Sequence, residues 1–222
     1  FSSWDEFLHA LNSYDNHSNA KTIEEKIKHI YKAIEHAEKS IALDPNLTEP
    51  YNVLAGSLFF LMFESSVQSD RDKNQSRYRE VSEKSYSLDP NNSDSIMNMA
   101  FLYRFSDDEM KYKEFVNKAV ELNPHHARSL SSQGVFNISE GDYDTAIDVL
   151  TRAFEIDPSK VPFYETMLLF CHLGKNDWTS ANQSVERSMR ENDHSRFYAF
   201  KAVILAHENK IEESKEWLKK YQ

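Results

Sequence analysis

Cysteine occurs once, at Cys171, so no internal disulfide can brace the chain. A lone thiol of this kind reads as a small buried hydrophobe rather than a reactive group. Glycine and proline are also scarce, with four and six among 222 residues. Both punctuate regular structure, so their scarcity beside abundant Glu, Lys, Ser, Leu and Ala points to an all-helical chain. Long apolar runs are missing: the most apolar stretch, 53–63, is too short and too mixed to span a bilayer. No secretory signal is visible. The chain begins at Phe1 rather than Met, as expected of a piece of a longer protein, and an anchor upstream would lie outside it. Basic residues are outnumbered, 26 against 36 acidic ones, for a net charge of −10. That balance argues against a nucleic-acid surface, which needs a basic face, and suits a cationic or neutral partner.

Motifs of chemistry are lacking as well. There is no glycine-rich phosphate loop, no His-Glu-x-x-His and no Cys-x-x-Cys. His125 and His126 are the one adjacent histidine pair, and they sit at a helix start after Pro124. His29 and His36 are seven apart on one predicted helix, without a third ligand. The expectation is therefore no catalytic residue, no cofactor, no metal site and no enzyme activity.

What is present is helical periodicity. With 40% hydrophobic residues, including 14 Phe and 11 Tyr, a sizeable core can form. The clearest segment is 141–158. Gly141 suits a helix stop and Asp142 a helix start. Tyr143, Ala146, Ile147, Leu150, Ala153 and Phe154 then recur at three- and four-residue steps, so they share a face. Asp157-Pro158 ends it, because the residue before proline is pushed out of α geometry. Two capping boxes open the chain, Ser3 with Glu6 and Thr22 with Glu25. A long helix carrying Ile23, Ile27, Ile30, Tyr31, Ile34, Ala37 and Ile41 follows the second. The segment 65–75 is polar and aperiodic and is expected to be a loop, with helix returning near Arg77.

The stops recur. Pro90 to Pro124 is 34 residues and Pro124 to Pro158 is 34, while Pro45 to Pro90 is 45, the same period plus 11. A 34-residue period with two helices per unit resembles the tetratricopeptide repeat (TPR). Leu130, Gly134, Gly141, Tyr143, Ala146, Leu150 and Ala153 fall on the family's pattern, as do Ile96, Met99, Ala100, Tyr103, Val116 and Ala119. Tyr112 departs from it, standing where a small residue is usual, so local packing should be wider. Asn176, Trp178 and Ala181, then Asn209, Ile211 and Ser214, echo Gly141, Tyr143 and Ala146. The resemblance implies an all-α, TPR-type right-handed superhelical solenoid of about six antiparallel helix pairs. They are expected at 3–43, 48–88, 93–122, 126–156, 161–190 and 195–221, stacked as one domain over 1–222.

The resemblance also implies where a protein or peptide would bind: a concave groove lined by the first helix of each pair. The matching positions are Asn52, Phe59, Met97, Phe101, Arg104, Phe105, Arg128, Ser131, Val135, Glu165, His172 and Arg196. Phe101 and Phe105 beside Arg104 are the sharpest of them, since aromatic and arginine side chains anchor recognition surfaces. The competing reading is that the phenylalanines only pack against a neighbouring repeat. The basic and asparagine clamp with which some family members hold a terminal carboxylate is absent: Asn52, Gly56, Met97 and Phe101 occupy its positions.

The segment Ser-Trp-Asp-Glu-Phe-Leu-His-Ala-Leu at 3–11, and the long helix ending Ala-Leu-Asp-Pro at 42–45, resemble TPR regions at the C-terminal end of bacterial multidomain regulators. Those regions follow a winged-helix DNA-binding domain or a class III adenylate cyclase domain. The resemblance implies a non-catalytic sensory or interaction region. The alternatives are a stand-alone assembly adaptor of a secretion or envelope complex and an enzyme on a helical solenoid. The cytoplasm is the expected compartment, with the periplasm the alternative if an upstream anchor exists. Trp217, Leu218 and Tyr221 lack a polar helix after them, so a homodimer through terminal helices is a further expectation.

Overall fold

The computed structural model describes residues 2–64, 68–191 and 196–221, in two compact units, 1–123 and 124–222. The described residues form twelve α-helices and one 3-10 turn, with no strand. In the first unit α1 (Ser3–Asn19) packs on α2 (Ile23–Leu43), α3 (Thr48–Glu64) on α4 (Gln68–Leu88), and α5 (Ser93–Phe105) on α6 (Glu109–Leu122). In the second, α7 (Ala127–Ser139) packs on α8 (Tyr143–Ile156), α9 (Val161–Gly174) on α10 (Trp178–Glu191), and α11 (Arg196–His207) on α12 (Ile211–Tyr221).

Two kinds of turn repeat. Within pairs, Asp107, Gly141, Asn176 and Asn209 all take positive φ, between 55 and 78°. The next residue in each case returns its N–H to a helix carbonyl five residues back, as Asp142 does to Asn137 at 2.9 Å. Such a stop favours Gly or Asn, which tolerate left-handed backbone. Asp108, Asp142 and Asp177 then cap the next helix through the backbone N–H groups of Lys111, Thr145 and Ser180. Between pairs, the Asp-Pro carboxylates of Asp44, Asp89 and Asp157 each accept from the backbone N–H two residues on, at 3.0–3.1 Å. They are turn residues, as their position before proline implies. A cation on the second helix of a pair ties down the Asp89-Pro90 turn and the Asn123-Pro124 turn: Lys118 donates to the Pro90 carbonyl and Arg152 to that of Pro124.

Two local expectations are corrected. The first capping box is Ser2 with Asp5, one residue earlier than Ser3 with Glu6. Ser3 and Glu6 are drawn instead to α2, where Ser3 exchanges hydrogen bonds with Ser40 and the Glu6 carboxylate meets His36 Nδ1 at 2.6 Å. The box at Thr22 and Glu25 forms as read. The segment 65–75 is not one polar loop: α4 already runs from Gln68, while 65–67 lie outside the described residues. Its first turns have no apolar stripe and are held by local ties, Gln68 to Asp72, Arg71 to Gln68 and Ser76 to the Asp72 carbonyl. Counted back from the proline turns, the extra length of the first unit's middle pair is four residues at the end of α3 and seven at the start of α4.

The core of the first unit joins Ala10 and Ala33, Ile30 and Ala37, Leu54, Leu58 and Tyr78, all nearly or wholly buried. Burying one such large apolar side chain stabilises the fold by ~1.5–3 kcal/mol. In the second unit, Leu169, Ala181, Val185, Phe197 and Ile204 form a continuous cluster. Gly134 on α7 lets α8 approach so closely that a Cβ there would lie 2.5 Å from Leu150 Cγ. Cys171 is fully buried, and burial pushes its thiol up to about 11, away from the reactive thiolate form. On α12 Trp217 folds back to within 5.4 Å of the Tyr198 ring, while Leu218 and Tyr221 stay exposed.

Candidate interaction surface

The largest gathering of predicted site residues lies in the first unit, where the end of α3 meets α5. Phe59 packs edge-on against Phe101, with ring centroids 5.0 Å apart, and stacks on Phe105 at 5.9 Å. Beneath them is Tyr78 of α4, fully buried, 5.9 Å from both Phe59 and Phe105, with its hydroxyl donating to the Asn98 carbonyl. Above them is Phe63, 4.9 Å from Phe59 and 6.5 Å from Phe105. Phe63 is 64% exposed, whereas Phe59, Phe101 and Phe105 are half-buried. The rings therefore climb from the core to solvent as one connected stack. Each such pair adds ~0.5–1.5 kcal/mol beyond area burial, so the stack is a rigid platform rather than loose side chains.

Arg104 stands beside this platform, exposed, with its guanidinium 5.2 Å above the Tyr112 ring. Tyr112 is itself buried and 6.1 Å from Phe101. The large ring, at the position that Ala146 holds in the next pair, thus supports both Phe101 and the arginine. The phenylalanines pack against one another, as the competing reading expects, and each keeps part of its surface exposed. Phe63 was not singled out from the sequence, although it stands four residues after Phe59 and therefore on the same helix face.

Other predicted positions are used internally. Met97 is 0% exposed and belongs to the core, out of reach of a partner. Asn52 joins three helices: its Oδ1 accepts from Ser85 Oγ at 2.6 Å, Asn98 Nδ2 at 3.1 Å and Ser95 Oγ at 3.2 Å, and its amide donates to Asn92. In the second unit Glu165 is buried and chelated by Arg187, whose Nε and Nη2 lie 2.6 and 3.0 Å from its two oxygens. Ser131 donates to the Ala127 carbonyl and to the Tyr164 hydroxyl. His172 is half-buried, 4.0 Å from the Asp177 carboxylate, and burial lowers its pKa against that carboxylate's opposing pull. Arg128 and Val135 are half-buried, and Arg196 is exposed with its guanidinium 5.0 Å from the Phe197 ring centre. Phe163 and Phe170, seven residues apart on α9, are partly exposed, and Phe170 meets Phe200 at 5.8 Å. This smaller aromatic pair was also missed in the sequence.

Among the described residues no cluster of three or more His, Cys, Asp or Glu is placed to hold a metal ion, and no helix is long and apolar enough to cross a membrane. The Tetratricopeptide repeat family model matches residues 127–160. No curated protein matches the chain. Among solved structures, a chain of the APC/C hetero-tetramer Cut9-Hcn1 superposes with a TM-score of 0.69 at 13% identity, over 88% of this chain and 37% of that one. The present chain thus spans little more than a third of that relative. PilW, a type IV pilus biogenesis factor, superposes with a TM-score of 0.69 at 14% identity, over 97% of this chain and 90% of its own. YrrB, a TPR protein with an unusual peptide-binding site, gives 0.59 at 16% identity, over 85% and 91%. At such identities these likenesses speak for the fold alone. The paired helices, the recurring turns and the matched segment lead to one conclusion: this is an all-α chain with a TPR-type fold, carrying a tetratricopeptide repeat at residues 127–160.

Proposed function

We propose that the chain is a non-catalytic protein-interaction scaffold that holds a peptide or protein segment on the platform of Phe59, Phe63, Phe101 and Phe105, with Arg104 at its edge. One observation carries this reading: a connected aromatic stack, anchored on buried Tyr78, that ends in a phenylalanine 64% exposed. A rigid aromatic surface of this kind loses little entropy on binding and offers a large apolar contact. The repeat fold supports it, since stacked helix pairs build extended binding surfaces. Within this reading, the segment serves as the sensory or interaction region of a bacterial regulator, attached to a winged-helix or adenylate cyclase output domain. The sequence at 3–11 and 42–45 supports that assignment.

A second reading, a stand-alone assembly adaptor of a secretion or envelope complex, is favoured by the superposition on PilW over 97% of this chain and 90% of that one. The full-length gene separates the two: an upstream output domain supports the regulator, and its absence overturns it. The platform is tested by selecting peptides from a display library and titrating one by fluorescence anisotropy. Phe63→Ser and Arg104→Ala should each weaken it roughly tenfold or more, as hot-spot truncations do. Unchanged affinity in both variants would sink the assignment.

A further inference from the structure

The lengthened pair α3–α4 creates a second feature, apart from the aromatic platform. A cleft of about 330 Å³ opens between α2, α3 and the first turns of α4. Its floor is apolar, built from Ile27, Tyr31 and Ile34 of α2 with Leu58 and Leu61 of α3. The wall facing that floor is polar: Asp70, Lys73, Asn74 and Arg77, spaced three and four residues apart, present one face of α4. Glu64, at the end of α3, completes the rim. Of these residues Leu61, Glu64, Asp70, Lys73 and Asn74 all lie in the turns that the later pairs lack.

An apolar stripe opposed by a charged one is a poor way to close a helix pair. Across the cleft α4 ties to α2 through the Arg77–Glu38 ion pair, and Tyr31 remains 59% exposed. The arrangement suits an occupant that is apolar on one side and charged on the other. The charges are also sorted by position. Glu64 and Asp70 mark the end of the cleft where α3 hands over to α4. Lys73 and Arg77 follow one and two turns further along, and Arg77 is shared with Glu38 of α2. Asp70 and Arg77 are thus ~10 Å apart along the helix axis, at 1.5 Å per residue. At ~3.3–3.6 Å per extended residue, a two- or three-residue peptide spans that interval. The volume falls at the small end of ligand sites, which run roughly 300–1,000 Å³.

We infer that the cleft binds a small zwitterion with an apolar body, of the size of a hydrophobic dipeptide. Its ammonium lies toward Glu64 and Asp70, its carboxylate toward Lys73, Asn74 and Arg77, and its side chains lie on Ile27 and Tyr31, the part of the floor that reaches solvent. The test is isothermal titration calorimetry of the whole chain with leucyl-leucine, alongside the same dipeptide acetylated at its N-terminus and amidated at its C-terminus. The free dipeptide should bind and the blocked one should not. Lys73→Glu should weaken binding tenfold or more, and so should Glu64→Gln combined with Asp70→Asn. All three residues are exposed, so the variants should keep the parent's circular dichroism spectrum and melting temperature. Absence of heat with leucyl-leucine at millimolar concentration overturns the proposal. So does equal binding of free and blocked dipeptides, or affinity indifferent to Lys73→Glu. None of these outcomes bears on the aromatic platform, which the display peptide reports separately.

Discussion

The repeat at 127–160 and the pair α3–α4 meet the same packing problem in opposite ways. In the repeat, small residues do the work: Gly134 lies under Leu150, and Ala146 and Ala153 are fully buried. The two helices are 13 and 14 residues long and end at well-marked turns. In α3–α4 the helices reach 17 and 21 residues, and large rings replace small side chains where α3 meets its neighbours. The close-fitting pair keeps little for a ligand to use. The lengthened pair leaves an exposed phenylalanine at one place and a cleft at another, both supplied by its additional turns. Regular repeats thus close their own packing, and the departure from regularity leaves aromatic and cleft surface exposed. Four tests, three on these two regions and one on α9 of the second unit, run from the largest effect on stability to the smallest.

The largest effect should come from Asn52→Ala. One carbonyl oxygen serves Ser85, Ser95 and Asn98, and the amide serves Asn92, so the expanded pair depends on this one side chain. Ser85 and Ser95 can still pair with each other at 2.6 Å. Asn92 Oδ1 still accepts from the Asp94 and Ser95 N–H groups. The loss therefore falls on the three hydrogen bonds that Ser85, Ser95 and Asn98 donate to Asn52, and at about 1 kcal/mol each a destabilisation of about 3 kcal/mol is expected. Chemical denaturation measures it; a change below about 1 kcal/mol would mean that water takes over the bonds. Next comes Gly134→Ala in the compact pair. Alanine favours a helix by ~1 kcal/mol over glycine. Here its Cβ would meet Leu150 Cγ at 2.5 Å, and overpacking costs typically ~1–3 kcal/mol. Net destabilisation of ~1 kcal/mol is expected, and a stabilised variant would show that the pair is less tightly fitted than its geometry indicates.

These contrasts also explain what could be read in advance. The turns were legible because their chemistry is local. Asp before Pro marks Asp44, Asp89 and Asp157, and Gly or Asn marks three of the four positive-φ stops. Asp107 escaped notice because aspartate carries a weaker mark for that conformation. The start of α4 was not legible, since a helix polar on all sides has no apolar period to detect. The first capping box was misplaced by one residue because 2–6 reads Ser-Ser-Trp-Asp-Glu, which offers two registers. Contacts from Ser40 and His36, distant in sequence, select between them. The site candidates were transferred by position, and position alone cannot say what a neighbour takes. Met97 went to the core, Glu165 to Arg187 and Asn52 to a polar network, whereas Phe59, Phe101 and Phe105 converged.

A smaller effect is expected from pH in the second unit. Burial holds the His172 pKa below its ordinary value, so protonation favours the unfolded chain, where the imidazole keeps its usual affinity for a proton. Stability contributed by neutral His172 is present above the unfolded pKa, near 6.5, and declines as pH falls through it. The melting temperature should therefore drop between pH 7.5 and 5.5, and His172→Gln should lessen the drop. The difference between the two drops isolates this residue from the Glu6 carboxylate. The hydrogen bond from His36 lowers that carboxylate's pKa, so its contribution is lost only in more acid solution. Equal drops in parent and variant would show that Asp177 compensates for burial.

The smallest effect on stability, and the most informative one, belongs to Phe63→Ser. Phe63 is 64% exposed and touches the stack through Phe59 and Phe105 only at its solvent end. Surface substitutions of this kind usually change stability by within ~0.5 kcal/mol. Phe101→Ala, by contrast, removes a half-buried ring packed on Phe59 and Tyr112, and should cost ~2–3 kcal/mol. If the platform exists to bind, the two variants should lose the display peptide to a similar degree while differing in stability. Denaturation and anisotropy on the same preparations read both quantities. Were peptide affinity instead to follow stability, falling in Phe101→Ala and holding in Phe63→Ser, the exposed ring would be an incidental end of the core.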